Sequence, residues 1–420
     1  MNKVVVTGIG FASSIGVGRG DVLASLRDLR HGFARRQLPG YGAGPELVCG
    51  AVPGFDVSSS DWRDWAFPGA ERFEGGFLRA LPPHGPFALA ALEEALGEAG
   101  LARDDLGGGD TGLFCASPGS PQLLFHHLGR MAASGWRRAD PLGIVSSVAG
   151  TLNFNLAAYY GITGANCGFV SACASSSHAL GYAFDEIALG RQERMLVVAA
   201  EDGSAESLLP FLGMRALSQN PDPDTASRPF DARRDGFVGT GGAAALVLES
   251  AGAAHRRGAK ALAEMRAWAQ ASDGFNVAAP HPDGRGIQAA MARCLAAGGA
   301  SAGEVDWVNA HATSTPAGDR AEAQALKALG FADAEAGALV SSTKGVTGHG
   351  LSYAGALEAA LCILCLNEGI VPGNAALAEP DPVCDGLRLP VKTERRDLRL
   401  ALNNSSGFGG ANVCRLFAQP

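Results

Sequence analysis

Short runs of β-branched and apolar residues alternate along the chain with longer, alanine-rich segments in which apolar residues recur every three or four positions. Runs of the first kind predict buried strands, and segments of the second kind predict helices. The predicted strands are KVVVTGI at 3–9, TGLFCA at 111–116, MLVVAA at 195–200, AALVLES at 244–250, DWVNAH at 306–311 and LRLALNNS at 398–405. The predicted helices are 86–100, 175–190, 284–299, 320–330 and 352–369. This alternation indicates an α/β fold.

The sequence also contains a weak internal echo. Residues 91–116 and 290–312 both run from a helix through a glycine stop and an acidic turn into a strand. No linker rich in proline, serine or charge divides the chain. We therefore expect two similar, closely packed halves, residues 1–250 and 251–420. The segment 40–85 is rich in Trp, Phe, Pro and Gly without periodicity, which predicts surface loops.

Composition narrows the classes of protein. Of the 420 residues, 47% are hydrophobic and 18% are charged, which is typical of a folded domain with a large core. The net charge of −8 argues against general nucleic-acid binding but leaves room for a small basic patch that meets an acidic partner. The longest uncharged apolar stretch is shorter than the roughly 18 residues of a membrane helix. The apolar start, MNKVVVTGIG, predicts a buried strand rather than a secretion signal, so we expect a cytoplasmic protein.

Nine cysteines lie at scattered spacings. An odd number in a long chain without an export signal indicates reduced thiols rather than a disulfide framework. Cys362 and Cys365 form a C-x-x-C within an apolar helical pattern, where core packing is the expected role. No ligand spacing typical of a metal site appears.

Cys173 lies in GFVSACASSSHALG, between a strand-like run and a predicted helix. A sulfur at a helix N-terminus feels the positive end of the helix dipole, which favours the reactive thiolate. The small neighbouring side chains would let a bulky acyl group approach. Taken alone, a buried and inert cysteine remains an equally simple interpretation.

His311 ends a predicted strand and precedes a polar loop that contains Thr313 and Thr315. Asp319 and Glu322 follow with the D-x-x-E spacing of a helix capping pair. One interpretation gives these acids to capping and the histidine to a strand end. The other places a proton-handling imidazole at the carboxyl mouth of a sheet, where α/β proteins hold their sites.

Two glycine-rich segments complete the set. Lys344 and His349 lie in SSTKGVTGHGLSYAG, directly before an apolar helix, and Phe408 lies among glycines in NNSSGFGGAN. Glycines allow the close backbone approach that a crowded site requires. Taken separately, the histidine could be structural and the second segment an ordinary hairpin turn.

These segments occur in an order that resembles the elongating β-ketoacyl–acyl-carrier-protein synthases, condensing enzymes of the thiolase fold. The resemblance covers nearly the whole chain, from VVVTGIGFASSIG through PFDARRDGFVGTGGAAALVLE to NNSSGFGGAN. A cysteine with two histidines is specific, since priming-type ketosynthases and thiolases replace the second histidine with Asn and Cys respectively. The resemblance implies a thiolase fold: two similar βαβαβαββ-type halves packed in the layers α-β-α-β-α.

The resemblance also implies a decarboxylative Claisen condensation. Cys173 would hold the acyl chain as a thioester, and His311 and His349 would stabilise the enolate formed when malonyl-acyl carrier protein loses CO2. Lys344 and Glu322 match the buried charged pair that supports the histidines.

The remaining implied roles concern the substrate. The backbone N–H groups of Cys173 and Phe408 would form the oxyanion hole for acyl transfer. The implied substrate and carrier contacts are Thr313 and Thr315 at the pantetheine arm, Phe211 in the acyl pocket, Asn404 and Gly409 in the NNSSGFGGAN segment, and Arg215 toward the acidic carrier protein. Substrates would arrive on the phosphopantetheine of acyl carrier protein, with no other cofactor. The expected assembly is a homodimer, or a heterodimer with a chain-length-factor-like ketosynthase.

Several positions depart from the family pattern. Ala312 stands where Gly is usual, which predicts crowding of the pantetheine site; Ser405-Ser406 stands where Ser-Phe is common; and residues 151–164 differ from the usual floor of the acyl pocket. These changes favour an unusual acyl substrate and specialised polyketide or polyene metabolism over housekeeping fatty-acid synthesis.

Two other classes of function remain as hypotheses. A non-catalytic partner that only binds carrier protein predicts loss of the nucleophile, which is present here. A nicotinamide dehydrogenase is suggested by VVVTGIGFAS, but the third glycine and the acidic strand end of the dinucleotide fingerprint are missing.

Overall fold

The computed structural model describes residues 1–38, 46–333 and 337–420. Within these ranges the strands are β1 (Val4–Ser13), β2 (Gly16–Val17), β3 (Phe33–Gln37), β4 (Glu46–Gly50), β5 (Thr111–Ala116), β6 (Asn166–Phe169), β7 (Arg194–Glu201), β8 (Gly239–Thr240), β9 (Gly242–Ser250), β10 (Ala263–Ser272), β11 (Trp307–Asn309), β12 (Leu339–Ser341), β13 (Ile370–Val371), β14 (Glu394–Arg395), β15 (Leu400–Gly407) and β16 (Ala411–Ala418).

The α-helices of the same ranges are α1 (Arg19–Asp28), α2 (Gly75–Ala80), α3 (Gly85–Ala99), α4 (Pro121–Ser134), α5 (Thr151–Tyr160), α6 (Ser175–Ala188), α7 (Ala205–Gly213), α8 (Pro223–Ala226), α9 (Ala251–Arg256), α10 (Arg285–Ala297), α11 (Pro316–Ala328), α12 (Lys344–Thr347) and α13 (Ala354–Glu368). Short 3₁₀ turns connect several of them.

A large mixed sheet organises the molecule. Its strands follow the order β12-β11-β15-β16-β10-β1-β9-β7-β5-β6, with β2 paired to the end of β1. The two halves of the sheet join where β1 pairs antiparallel with β10, from Val4 opposite Met265 to Val6 opposite Ala263. Among the described strands, β12 and β6 lie at the two ends of this order, and β6 pairs with β5.

Helices cover both faces of each half. The helices α6 and α13 contact each other and lie between the halves, α6 against β5 and β7 and α13 against β15. On the outer faces, α3 and α5 pack on the N-terminal strands and α10 on β10 and β16. One buried apolar cluster surrounds the central helices and one lies under each outer layer. The predicted layers α-β-α-β-α are confirmed, whereas the domain boundary at residue 250 stays a prediction.

The glycines of β1 allow helix α3 to pack closely against the strand. All ten residues of β1 are buried, and α3 packs so closely that a Cβ at Gly8 would lie 2.0 Å from the Ala95 carbonyl oxygen. At Gly10 a Cβ would lie 1.9 Å from the Ala91 oxygen. These glycines are inside a strand and serve helix packing. They do not form the strand-to-helix turn that a dinucleotide-binding loop requires.

The prediction of surface loops over 40–85 is wrong for much of that segment. Residues 39–45 lie outside the described residues, but β4 and α2 fall within the remainder. Trp65 and Phe73 are buried in the cluster beneath α3. Aromatic residues without regular spacing build this core through irregular backbone, which periodicity does not detect.

The C-x-x-C segment lies in the core, as predicted. Cys362 and Cys365 are fully buried in α13. The window Leu351–Glu368 has the length and mean hydropathy (1.3) of a membrane span, yet 89% of it is buried inside the protein. It is a core helix. Across the described residues, no group of three or more His, Cys, Asp and Glu side chains is arranged to hold a metal ion.

Candidate active site

Cys173 sits in the short connection between β6 and α6. The preceding residue, Ala172, has a φ of +50°, a left-handed conformation that non-glycine residues rarely adopt and that is common at functional turns. The side chain of Ser175 stabilises this turn, because its hydroxyl accepts from the Ser171 N–H at 2.8 Å and donates to the Ala172 carbonyl at 2.6 Å. The thiol is buried but lines a cavity.

The thiol of Cys173 is protonated at rest. Burial raises the pKa of Cys173 to about 12, although the positive charge of Lys344 acts in the opposite direction. The prediction that the helix terminus favours thiolate is therefore wrong in its net effect, because desolvation outweighs it. A nitrogen that is able to accept the thiol proton is close by: His349 Nε2 lies 3.1 Å from Cys173 Sγ.

The two predicted catalytic histidines lie side by side in the cavity that Cys173 lines. The rings of His311 and His349 stand nearly perpendicular, at 85°, with centroids 5.4 Å apart. The His349 backbone is fixed by its N–H, which donates to the Val238 carbonyl at 2.7 Å. Its ring meets the ring of Phe237 edge to face at 5.1 Å. Residues from distant parts of the chain therefore form one cluster.

Both imidazoles are neutral. Burial lowers the pKa of His311 and of His349 well below the ordinary value, and the charge of Lys344 lowers each further. Neither Nδ1 atom has a hydrogen-bond partner among the described residues. Because no partner fixes the ring proton, each Nε2 is free to act as a donor or as an acceptor.

Glu322 holds the loop that carries His311. Its two carboxylate oxygens accept from the backbone N–H of His311 at 2.9 Å and of Ala312 at 2.7 Å. The Asn404 amide donates to the same carboxylate at 3.0 Å. Burial raises the pKa of Glu322, and these hydrogen bonds oppose that shift. The capping interpretation is wrong, because neither Glu322 nor Asp319 caps α11. The carboxylate of Asp319 instead accepts from the Phe230 N–H.

The expected pairing of Lys344 with Glu322 is also wrong. Lys344 Nζ forms its ion pair with Glu358 of α13, and both side chains are 1% exposed. The carboxylate of Glu322 is already occupied by backbone N–H groups, so Glu358 is the available anion. Sequence reasoning missed Glu358. The signal for it was a single acid in the otherwise apolar run AGALEAALCILC, since a charge is buried only when it is paired.

The cavity has a volume of about 380 Å³. Nine of the predicted site residues line it: Cys173, Phe211, Arg215, His311, Thr313, Thr315, Glu322, His349 and Phe408. The hydroxyls of Thr313 and Thr315 lie 3.0 Å apart, and Arg215 is exposed. Lys344, Asn404 and Gly409 lie outside the lining.

The glycine-rich turn closes over the cysteine. A Cβ on Gly407 would lie 3.2 Å from the Cys173 nitrogen and 2.8 Å from the Ser171 oxygen, so only glycine permits this approach. Phe408 packs against Phe211 with ring centroids 5.8 Å apart. Gly409 has a φ of +77°, and its N–H donates to the Val277 carbonyl at 2.8 Å. The turn is thereby tied to the loop after β10.

The departures from the family pattern fall in different places. The methyl of Ala312 packs in the buried cluster of the C-terminal half, so the predicted crowding of the pantetheine site is wrong. Ser406 does line the cavity, and its hydroxyl donates to the Asn412 side chain at 2.8 Å. None of residues 151–164 lines this cavity; the Asn153 amide instead donates to Asn166 and Cys167 of β6.

Comparisons with known proteins match the chain over most of its length. The family model for the β-ketoacyl synthase N-terminal domain matches residues 1–254, and the model for the C-terminal domain matches residues 262–378. A 3-oxoacyl-[acyl-carrier-protein] synthase 1 of Haemophilus influenzae is 33% identical over 99% of both chains. A mitochondrial 3-oxoacyl-[acyl-carrier-protein] synthase of Arabidopsis thaliana is 41% identical over 67% of this chain and 62% of its own length.

Solved structures give the same result. The crystal structure of a β-ketoacyl synthase from Burkholderia phymatum superposes with a TM-score of 0.89 at 31% identity, over the full length of both chains. The ishigamide ketosynthase/chain length factor superposes with a TM-score of 0.87 at 28% identity, over 100% of this chain and 99% of the other.

Proposed function

The chain belongs to the β-ketoacyl synthase family, and on that premise we propose that Cys173, His311 and His349 carry out its condensation. The chain is an acyltransferase that joins an acyl thioester to malonyl-acyl carrier protein and releases a β-ketoacyl-acyl carrier protein. The observation that carries the residue assignment is the convergence of one thiol and two neutral imidazoles on a single cavity.

In the first half-reaction Cys173 takes the acyl group. As the sulfur attacks the thioester carbonyl, His349 Nε2 accepts the thiol proton across 3.1 Å. The carbon–sulfur bond to pantetheine then breaks, and the pantetheine thiol leaves with that proton. A base at this distance is needed because burial keeps the resting thiol protonated.

In the second half-reaction a malonyl thioester binds in the same cavity. Its carboxylate leaves as CO2, and the electron pair of the broken bond forms an enolate. The Nε2–H groups of His311 and His349 donate to the enolate oxygen; losing one such donor typically costs about 3 kcal/mol of transition-state stabilisation. The enolate carbon attacks the acyl thioester carbonyl, the bond from that carbon to the Cys173 sulfur breaks, and the sulfur leaves as a thiolate that takes up a proton from water.

The cavity lining suits a pantetheine arm. The hydroxyls of Thr313 and Thr315 give the lining a polar part, and the rings of Phe211 and Phe408 give it an apolar part. Arg215 at the exposed end is placed to meet an acidic carrier protein. Replacing these threonine, phenylalanine or arginine side chains should therefore affect substrate binding more than the chemical step.

We further propose that a second ketosynthase-like chain covers the edge of the sheet. Among the described strands β6 lies at one end of the sheet, and next to it Phe154 and Val170 are 51% and 63% exposed. Exposed strand edges with apolar neighbours favour association. Native mass spectrometry of the isolated chain distinguishes the two assemblies: a dimer supports the homodimer, and a monomer that pairs only with an added chain-length-factor relative supports the heterodimer. A monomer under both conditions contradicts the proposal.

Intact-mass analysis tests the catalytic assignment. Wild-type protein incubated with a panel of acyl carriers should gain one acyl group, and the Cys173→Ala variant should gain none. His349→Ala should still load the acyl group, more slowly, while condensation with malonyl carrier is lost. Equal loading of wild type and Cys173→Ala would refute the nucleophile. No loading of the wild type by any carrier would favour the non-catalytic partner.

A further inference from the structure

One arginine is fully buried and lies outside the lining of the cavity. Arg415 of β16 is 0% exposed, in a strand whose other residues are mostly apolar. Its guanidinium donates to the Gly355 carbonyl at 2.9 Å, to the Ser405 hydroxyl at 2.9 Å and to the Asn403 side-chain oxygen. Burying a guanidinium carries a desolvation penalty, which is offset only where hydrogen-bond acceptors surround the charge.

Each of these bonds leads to an element that lies within a few residues of one of the three proposed catalytic side chains. Ser405 also accepts from the Ser177 hydroxyl of α6 at 2.7 Å, and α6 begins two residues after Cys173. Asn403 also donates to the carbonyl of Asn309 at 3.2 Å, and Asn309 ends β11 two residues before His311.

The third bond reaches the His349 segment. Gly355 lies in the first turn of α13, six residues after His349. Arg415 thus connects, directly or through one side chain, the three segments that bring the thiol and the two imidazoles together.

We propose that Arg415 is a positioning residue for the condensation, which holds Cys173, His311 and His349 at their working separations. This inference rests on the catalytic roles proposed above. Displacements of about 1 Å in a catalytic constellation can reduce the rate about 100-fold. A five-donor planar fork suits this role because one guanidinium can bond several acceptors at fixed angles.

The charge of Arg415 provides a second, independent signature. The groups that face His311 are Lys344 of α12, His349, Arg415 of β16 and Glu322 of α11, and behind Lys344 lies Glu358 of α13. The positive charge of Arg415 lowers the pKa of His311. Its removal raises that pKa, so the acid limb of the condensation rate should move to higher pH.

The test compares Arg415→Met, Arg415→Lys and Ser177→Ala with a matched control, Arg257→Met. Arg257 also pairs with a buried carboxylate, Glu249, but lies away from the cavity. We expect Arg415→Met to lower kcat about 100-fold with KM for the malonyl carrier within threefold. Arg415→Lys should recover part of kcat and move the acid limb of the condensation rate back toward its wild-type pH. Arg257→Met should leave kcat and the acid limb unchanged while lowering Tm.

If Arg415→Met does not fold, the proposal is still testable with two milder variants. Arg415→Lys and Ser177→Ala each keep most of the packing and should still lower kcat about tenfold. Unchanged kcat and acid limb in all folded variants would overturn the proposal. The alkylation rate of Cys173 by iodoacetamide, followed by peptide mass, needs no turnover and should fall at least fivefold in the Arg415 variants. A wild type that fails to load acyl groups contradicts the proposed function, while unaltered alkylation in the variants contradicts the role of Arg415.

Discussion

The buried pair of Lys344 and Glu358 provides the sharpest test of the electrostatics behind the site. The substitution Lys344→Met removes the cation and leaves the Glu358 carboxylate 1% exposed without its partner. Breaking a buried ion pair on one side typically costs about 3–5 kcal/mol, because the remaining charge is desolvated and uncompensated. We expect a loss of this size in the free energy of unfolding, measured by urea denaturation at about pH 8.

The loss should depend on pH in a defined direction. Burial raises the pKa of Glu358, and Lys344 lowers it, so the Lys344→Met variant raises it further. A carboxyl whose pKa is higher in the folded state than in the unfolded state binds more protons when folded, so its cost is largest at high pH and disappears as the pH falls. The difference between wild type and variant should therefore shrink between about pH 8 and pH 5.

Two controls separate this effect from general damage. Lys3→Met removes a partner of the exposed pair with Glu264 and should cost less than about 1 kcal/mol at either pH. The double variant Lys344→Met/Glu358→Leu should recover most of the loss, since an apolar pair of similar volume needs no compensation. A loss in Lys344→Met as small as that of Lys3→Met, or one that does not change with pH, would refute the reasoning.

Three further substitutions address the cavity. Arg215→Glu should lower kcat/KM at least tenfold for substrates on carrier protein and less than twofold for acyl-pantetheine without protein; an equal effect on both would remove the carrier contact. Glu322→Gln places an amide N–H against the His311 and Ala312 N–H groups. The rate of condensation in a coupled assay should fall at least tenfold, while acyl loading, measured by intact mass, stays within threefold of wild type. Gly407→Ala introduces a Cβ 2.8 Å from the Ser171 oxygen and should slow acyl loading at least tenfold; loading at the wild-type rate would show that the turn does not close on Cys173.

The elements that the sequence predicts well are those with regular apolar patterns. The strand at 111–116 coincides with β5, and the helix at 86–100 differs from α3 by one residue at each end. The helix at 320–330 begins earlier than predicted, because Pro316 occupies its first position, where proline is favoured. Periodicity cannot detect such a start, since a Pro-Ala-Gly sequence is also typical of a turn.

The site could be predicted as a set of residues but not as a network. Cys173, His311 and His349 were identified from their segments, and the structure brings them to one cavity. The partner of Lys344 could not be chosen from spacing, because Glu322 and Glu358 are both acids near the right segments. The choice depends on which carboxylate the backbone N–H groups have already satisfied, and that is a property of the three-dimensional fold.

The net effect of the surroundings on the thiol pKa could not be predicted for a related reason. A helix N-terminus is visible in the sequence, whereas the depth at which the sulfur is buried is not, and here depth dominates. Arg415 is the opposite case, because its unusual position is visible in the sequence. A charged residue within the apolar pattern ANVCRLFA contradicts the local prediction for a buried strand, and such contradictions are retained where function requires them. For both histidines burial decides the charge state: burial first, and then the positive charge of Lys344, lowers the pKa of His311 and of His349, so that both imidazoles stay neutral and His349, the proposed base, is able to accept the thiol proton.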